Sequence, residues 1–227
     1  MKNILIVGAS RGIGFRILEQ NIEDAQCINI SRSRPSIQHE HLTSYEADVL
    51  NDPLPEIDAL DSLIYCPGSI NLKPIGSLKE EDFLEDFRIN LLGAVRVIKQ
   101  YVRALKRSKN ASILMFGTVA VEQGMPFHSS ISVAKAGVQA LAKSLAAELA
   151  PSVRVNCIAP SITDTPLASS ILKNEKSRSN IADRHPLKKI MTTEDIASMA
   201  SFLISDKASS ITGQIIGVDG GMSSLKI

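Results

Sequence analysis

The stretch that most limits what this chain can fold into is the turn Gly8-Ala9-Ser10-Arg11-Gly12-Ile13-Gly14. Before it runs an apolar segment, Ile4-Leu5-Ile6-Val7, which reads as a strand buried on both faces. After it, Ile13 to Leu18 reads as an amphipathic helix. A strand that turns at once into a helix needs backbone freedom at Gly8. Side chains at Gly12 and Gly14 would hold a diphosphate away from the helix N-terminus, where free amide N–H groups and the helix dipole favour an anion. The plain alternative is a tight structural turn. The position between a strand and a helix favours the nucleotide.

At 227 residues, with 44% hydrophobic and 22% charged residues, the chain suits one globular domain over 1–227. A net charge of +1 gives no reason to expect nucleic acid as a partner. Cys27, Cys66 and Cys157 sit in apolar contexts without metal-ligand spacing, as expected of reduced core cysteines in a cytoplasmic protein. Met1-Lys2-Asn3 leads straight into the first strand, and no apolar run has membrane-spanning length.

The glycine spacing is G-x-x-x-G-x-G, which resembles the short-chain dehydrogenase/reductase family. The resemblance implies an α/β fold: a doubly wound (Rossmann) parallel sheet of about seven strands, with helices on both faces. It also implies a nicotinamide cofactor held by Gly8, Ser10, Arg11, Gly12, Ile13 and Gly14. The second strand, Cys27 to Ile30, ends in Ser31-Arg32, where NAD-preferring enzymes usually carry an acid. Serine does not repel a 2′-phosphate, and Arg32 and Arg11 attract one, so NADP(H) is the expected cofactor. Asp48, with Val49 beside it, is carried onto the adenine edge. Gly68 is the retained part of the family's Asn-Asn-Ala-Gly, whose asparagines are replaced by Tyr65 and Cys66. Too little room remains for helices between Pro35 and Ser44, and Pro53 and Pro55 break one before Asp61.

The chemistry is expected in the second half. Asn90, within the helical stretch from Leu78 to Leu105, matches the family's water-holding asparagine, and Thr118 matches the serine that steadies a substrate carbonyl. The Tyr-x-x-x-Lys pattern appears as Ile131-Ser132-Val133-Ala134-Lys135. The lysine is kept, and isoleucine stands at the tyrosine position. Isoleucine has no proton to give, and general acid–base catalysis contributes ~10²–10⁴-fold. His128 is the candidate replacement donor, with a polar loop histidine as the plain alternative. Pro160 and Thr165 match the loop that grips the nicotinamide carboxamide, with Ser161 in place of a glycine. The segment to Lys189 is expected to form a lid, with Lys173, Lys176, Arg178, Arg184, Lys188 and Lys189 on it.

Two functions stay open at this point. One is an NADP(H)-dependent reductase or dehydrogenase acting on a small carbonyl or alcohol, acyl thioesters among them. The other is an NADP(H)-binding sensor or assembly protein with little turnover. Either is expected as a homo-oligomer, a dimer or tetramer, built on the helices of 79–107 and 131–149.

Overall fold

The computed structural model describes residues 1–226. Seven strands form one sheet: β1 (Lys2–Val7), β2 (Ala25–Ser31), β3 (Leu42–Glu46), β4 (Ser62–Tyr65), β5 (Ala111–Phe116), β6 (Val153–Pro160) and β7 (Ile215–Val218). Every pairing is parallel, and the order is β3-β2-β1-β4-β5-β6-β7. The order reverses between β1 and β4, and a crevice beyond the carboxyl ends of such strands is the usual ligand site. The expected doubly wound sheet of about seven strands is therefore present. β7 is shorter than the apolar run from Ile211 suggests, because Thr212 and Gln214 turn to hold β6 at Val155 and Asn156.

Helices α1 (Gly12–Asn21) and α6 (Thr193–Ile204) cover one face, sharing a core of Ile4, Ile6, Ile17, Leu18, Ile196 and Leu203. Helices α3 (Gly93–Leu105) and α4 (Ser129–Leu149) cover the other, over Leu5, Val7, Leu63, Val97, Tyr101 and Val155. α6 starts in a reciprocal cap: Thr192 Oγ1 accepts from Asp195 N, and Thr192 N donates to the Asp195 carboxylate. No helix lies between β2 and β3, or between β3 and β4, as Pro35, Pro53 and Pro55 require.

The expected helix from 78 to 105 is three pieces. α2 (Glu80–Phe87) runs into a π-helical turn, Arg88–Leu92, and then into α3. Such a turn inserts one residue and recurs at functional sites. Asn90 sits inside it. The lid is looser than the sheet: a short 3₁₀ turn, Pro166–Ala168, and then α5 (Glu175–Asp183), which buries no residue. No helix among the described residues is long and apolar enough to cross a membrane.

Candidate active site

The glycine turn forms between β1 and α1 as expected, with Gly8 at φ +85° and Gly12 at φ +63°. Gly8 N donates to Ile30 O, and Ala9 N donates to Oδ1 of the fully buried Asn29 on β2. Asn29 was not singled out from sequence. A polar residue alternating with apolar ones in a short strand gives no sign that it pins a turn. Gly14 has a different cause from the one expected: a Cβ there would collide with the Gly8 carbonyl. Its absence lets helix and strand pack, and does not open space for a diphosphate. Gly12 faces the loop after β6, with Thr165 Cγ2 at 3.7 Å from where its Cβ would be.

The first residues of α1 carry no acid, and no side chain caps them. Their amides are open to an anion. Ser10 is half-buried beside them and Ile13 lines the cavity described below. Arg11 and Arg32 are exposed and make no hydrogen bond or ion pair among the described residues. Ser31 is buried, and its hydroxyl is taken up by Asn29 Oδ1 and Ser33 O. That hydroxyl is therefore engaged within the fold, and the groups left exposed and unpaired among those expected here are Arg11 and Arg32. Asp48 accepts from Leu50 N and Asn51 Nδ2, and Val49 is buried.

A cavity of about 450 Å³ opens beside this turn, lined by Gly68, Thr118, His128, Ile131, Lys135, Pro160 and Thr165 among others. The structure thus brings Thr118, His128, Ile131 and Lys135 to one cavity. Apolar walls come from Ile70, Leu72, Met125, Phe127, Leu167 and Ile171. Ile131 is 5% exposed, in the first turn of α4, so room for a larger side chain there has to come from the cavity itself. His128 caps that helix. Its Nδ1 lies 2.7 Å from Pro126 O, which makes Nδ1 the protonated nitrogen in neutral imidazole and leaves Nε2 as an acceptor. Thr118 Oγ1 accepts from Ala120 N and keeps its own proton to donate.

Lys135 donates to Phe116 O at 2.8 Å, and burial pushes its pKa down to about 8. Burial raises the Cys66 and Cys157 thiols to about 12, so neither offers Lys135 a negative charge near neutrality. Asn90 Nδ2 donates to Ser69 Oγ and Asp86 O, while its Oδ1 is buried without a partner among the described residues. A Cβ on Gly68 would lie 3.1 Å from Asn90 Oδ1 and 3.6 Å from Lys135 Nζ. The glycine therefore leaves a cradle between an unpaired acceptor and an ammonium donor. That pair fits hydroxyl groups of a sugar or an ordered water.

Two further polar groups were missed in sequence. His185 is fully buried, with Nδ1 at 2.8 Å from Ile181 O and Nε2 at 2.9 Å from Ser161 Oγ. It ties the loop after β6 to the end of α5. Asp86 is also fully buried and lies behind Ser69.

Comparison with known proteins bears on the family and the fold. A family model described as enoyl-(acyl carrier protein) reductase matches residues 47–223. The chain is 32% identical over 176 residues to the 3-oxoacyl-(acyl-carrier-protein) reductase of Thermotoga maritima, covering 77% of this chain and 71% of that one. Among solved structures, ligand-free aldohexose dehydrogenase of Thermoplasma acidophilum superposes with a TM-score of 0.90 at 27% identity, covering 99% of this chain and 95% of the other. ElxO with NADP bound superposes at 0.89 with 26% identity, covering 99% and 100%.

Proposed function

The chain belongs to the short-chain dehydrogenase/reductase family, and from that premise we propose an NADP(H)-dependent oxidoreductase that interconverts a carbonyl and its alcohol, with Ile131 at the place of the family's tyrosine. The observation that carries this is the cradle at Gly68, where Asn90 Oδ1 and Lys135 Nζ face one buried space beside the cavity. A bound nicotinamide cofactor supplies a hydride to the carbonyl carbon. Around it the chain does the rest. The open amides of α1 and the turn from Gly8 to Gly14 take the diphosphate, and Arg11 and Arg32 take a 2′-phosphate. Lys135 and Asn90 hold the ribose, Thr165 and Pro160 the carboxamide end, and Asp48 and Val49 the adenine. Thr118 donates to the substrate oxygen.

The apolar walls suit an acyl chain, and the similarity to 3-oxoacyl-carrier-protein reductases makes a 3-oxoacyl thioester the substrate of choice. The exposed Leu84, Phe87 and Leu92, running from α2 through the π turn, and Val133 on α4 form an apolar surface for a homodimer or homotetramer. The free cysteines support a cytoplasmic location. The rival, favoured by Ile131 alone, is an NADP(H)-binding protein without turnover.

Calorimetric titration tests the cofactor. NADPH should bind more tightly than NADH, and Arg32→Asp should weaken NADPH far more than NADH. Equal affinities in the parent protein would remove the NADP(H) assignment.

A further inference from the structure

Asp86 is a carboxylate with no exposed surface, on the helix that leads into the π turn. Burying a charge in this way is costly unless hydrogen bonds replace its water. Three do. Ser69 Oγ donates to Oδ1 at 2.5 Å, Asn71 Nδ2 donates to the same oxygen at 3.0 Å, and Ser130 Oγ donates to Oδ2 at 2.5 Å. None of these partners carries a charge, and no ion pair joins Asp86 to a cation among the described residues. Structural acids on a helix surface do not need this arrangement. Its placement is informative too. Ser69 lines the cavity directly after Gly68, and Ser130 directly precedes Ile131.

The network tolerates both protonation states of the acid. Ser130 Oγ has two acceptors in reach, Asp86 Oδ2 at 2.5 Å and Asp82 O at 3.1 Å. One hydroxyl proton serves one of them. With Asp86 ionised, Ser130 donates to the carboxylate. At the other oxygen, with Asp86 ionised, Ser69 accepts from Asn90 Nδ2 at 2.9 Å and donates to Oδ1. With Asp86 protonated on Oδ1, the acid donates to Ser69 Oγ and frees the Ser69 proton for the cavity, while Ser130 keeps its choice of Oδ2 or the Asp82 carbonyl. No heavy atom has to move.

We propose that Ser69 and Asp86 form a proton relay from the buried acid to the cavity, taking the place of the absent tyrosine. This rests on the oxidoreductase function proposed above. In reduction, the hydride on the carbonyl carbon leaves an alkoxide oxygen. That oxygen takes the Ser69 hydroxyl proton as Ser69 Oγ takes the proton from Asp86 Oδ1. After the alcohol leaves, a proton from bulk solvent enters through the open cavity to Ser69 Oγ as the Ser69 proton passes to Asp86 Oδ1, which restores the acid. Alcohol oxidation runs the same transfers backwards: the substrate hydroxyl proton goes to Ser69 and the Ser69 proton to Asp86. Ser69 is the catalytic residue here, and Asp86 acts through it.

The test is NADPH oxidation with acetoacetyl-coenzyme A and a panel of reactive ketones, in the parent, Asp86→Asn, Ser69→Ala, Ile131→Tyr and the double variant of Asp86→Asn with Ile131→Tyr. Asp86→Asn and Ser69→Ala should each lower kcat by about 10²-fold, the general-acid contribution, with NADPH affinity unchanged by calorimetry. The double variant should recover turnover, because a tyrosine donor bypasses Asp86. Full activity in either single variant overturns the relay. So does loss without rescue where Ile131→Tyr alone is active, which makes Asp86 a packing residue. A parent that is inactive where Ile131→Tyr turns over contains no donor, which overturns the relay and leaves the pocket assignment standing. Inactivity of both, with NADPH bound, ends the oxidoreductase proposal and the relay together. Infrared spectra give a readout without substrate. At the pH of the assay the parent should show a carboxylic acid carbonyl band that is missing from Asp86→Asn, and its absence from the parent overturns the relay.

Discussion

Lys135 shows most clearly how a single residue is placed against stability for function. Burial lowers its pKa from 10.5 to about 8, so below that range the folded chain bears a desolvated ammonium. Between about 8 and 10.5 the unfolded chain binds a proton that the folded chain lacks, and stability therefore rises with pH. Replacing the group removes this dependence. Urea unfolding of the parent and Lys135→Met, followed across pH, should show the difference moving in the parent's favour by roughly 3 kcal/mol through that window. The buried cysteines titrate in the opposite sense but are present in both proteins. A difference that stays flat means that Lys135 is not desolvated. The same variant should bind NADPH more weakly. At this scale the sequence was informative wherever a residue type is rare for its setting. Gly68, Thr118 and Lys135 line the cavity, with Asn90 directly behind Gly68. Asp86, Asn29 and His185 were hidden because a polar residue among helix acids or in a short strand looks solvent-facing until the packing of its neighbours is known.

Among the elements, the π turn Arg88–Leu92 needs bracing, because its wider winding disrupts the regular helical hydrogen bonds. The brace is Tyr65 at the end of β4, whose hydroxyl donates to Ile89 O at 2.7 Å. Burial pushes the pKa of that hydroxyl up, so it stays a neutral donor. Tyr65 is one of the two residues that stand where the family has asparagine, and its longer side chain reaches this turn. Gly93 makes room for it, since a Cβ there would collide with the Tyr65 hydroxyl and lie 3.1 Å from Leu50 Cδ2. Gly93→Ala should therefore cost about 1–3 kcal/mol in urea unfolding, and adding Tyr65→Phe should return part of it. Strict additivity of the two changes would show that the glycine and the tyrosine are not coupled. The boundaries of β4, β5 and β6 followed the apolar runs closely, because strands buried on both faces are continuous in sequence, whereas the edge strand β7 did not. The π turn was not legible: one extra residue within 26 helical positions leaves the periodicity almost intact.

At the level of the whole molecule, the sheet order places β1, β4, β5 and β6 side by side, so their carboxyl ends bring together residues far apart in sequence. The helices of 79–107 and 131–149 meet there as well, and their outer apolar positions predict assembly. Sedimentation should give a multiple of the 24.5 kDa chain, and paired Leu84→Glu and Phe87→Glu changes should shift it toward the monomer. A monomeric parent would remove the proposed surface. The overall fold could be read from the glycine turn and the strand sequence, as could Ile131 at the tyrosine position, whereas the group proposed to take the tyrosine's part depends on side chains that only the folded chain brings together. The most direct measurement is therefore NADPH consumption by the purified parent with acetoacetyl-coenzyme A, run beside Ile131→Tyr. An oxidoreductase with a replaced donor predicts measurable turnover in the parent and faster turnover in the variant. NADPH bound tightly by both, with neither consuming it on any carbonyl tested, would contradict the assignment and leave a cofactor-binding protein.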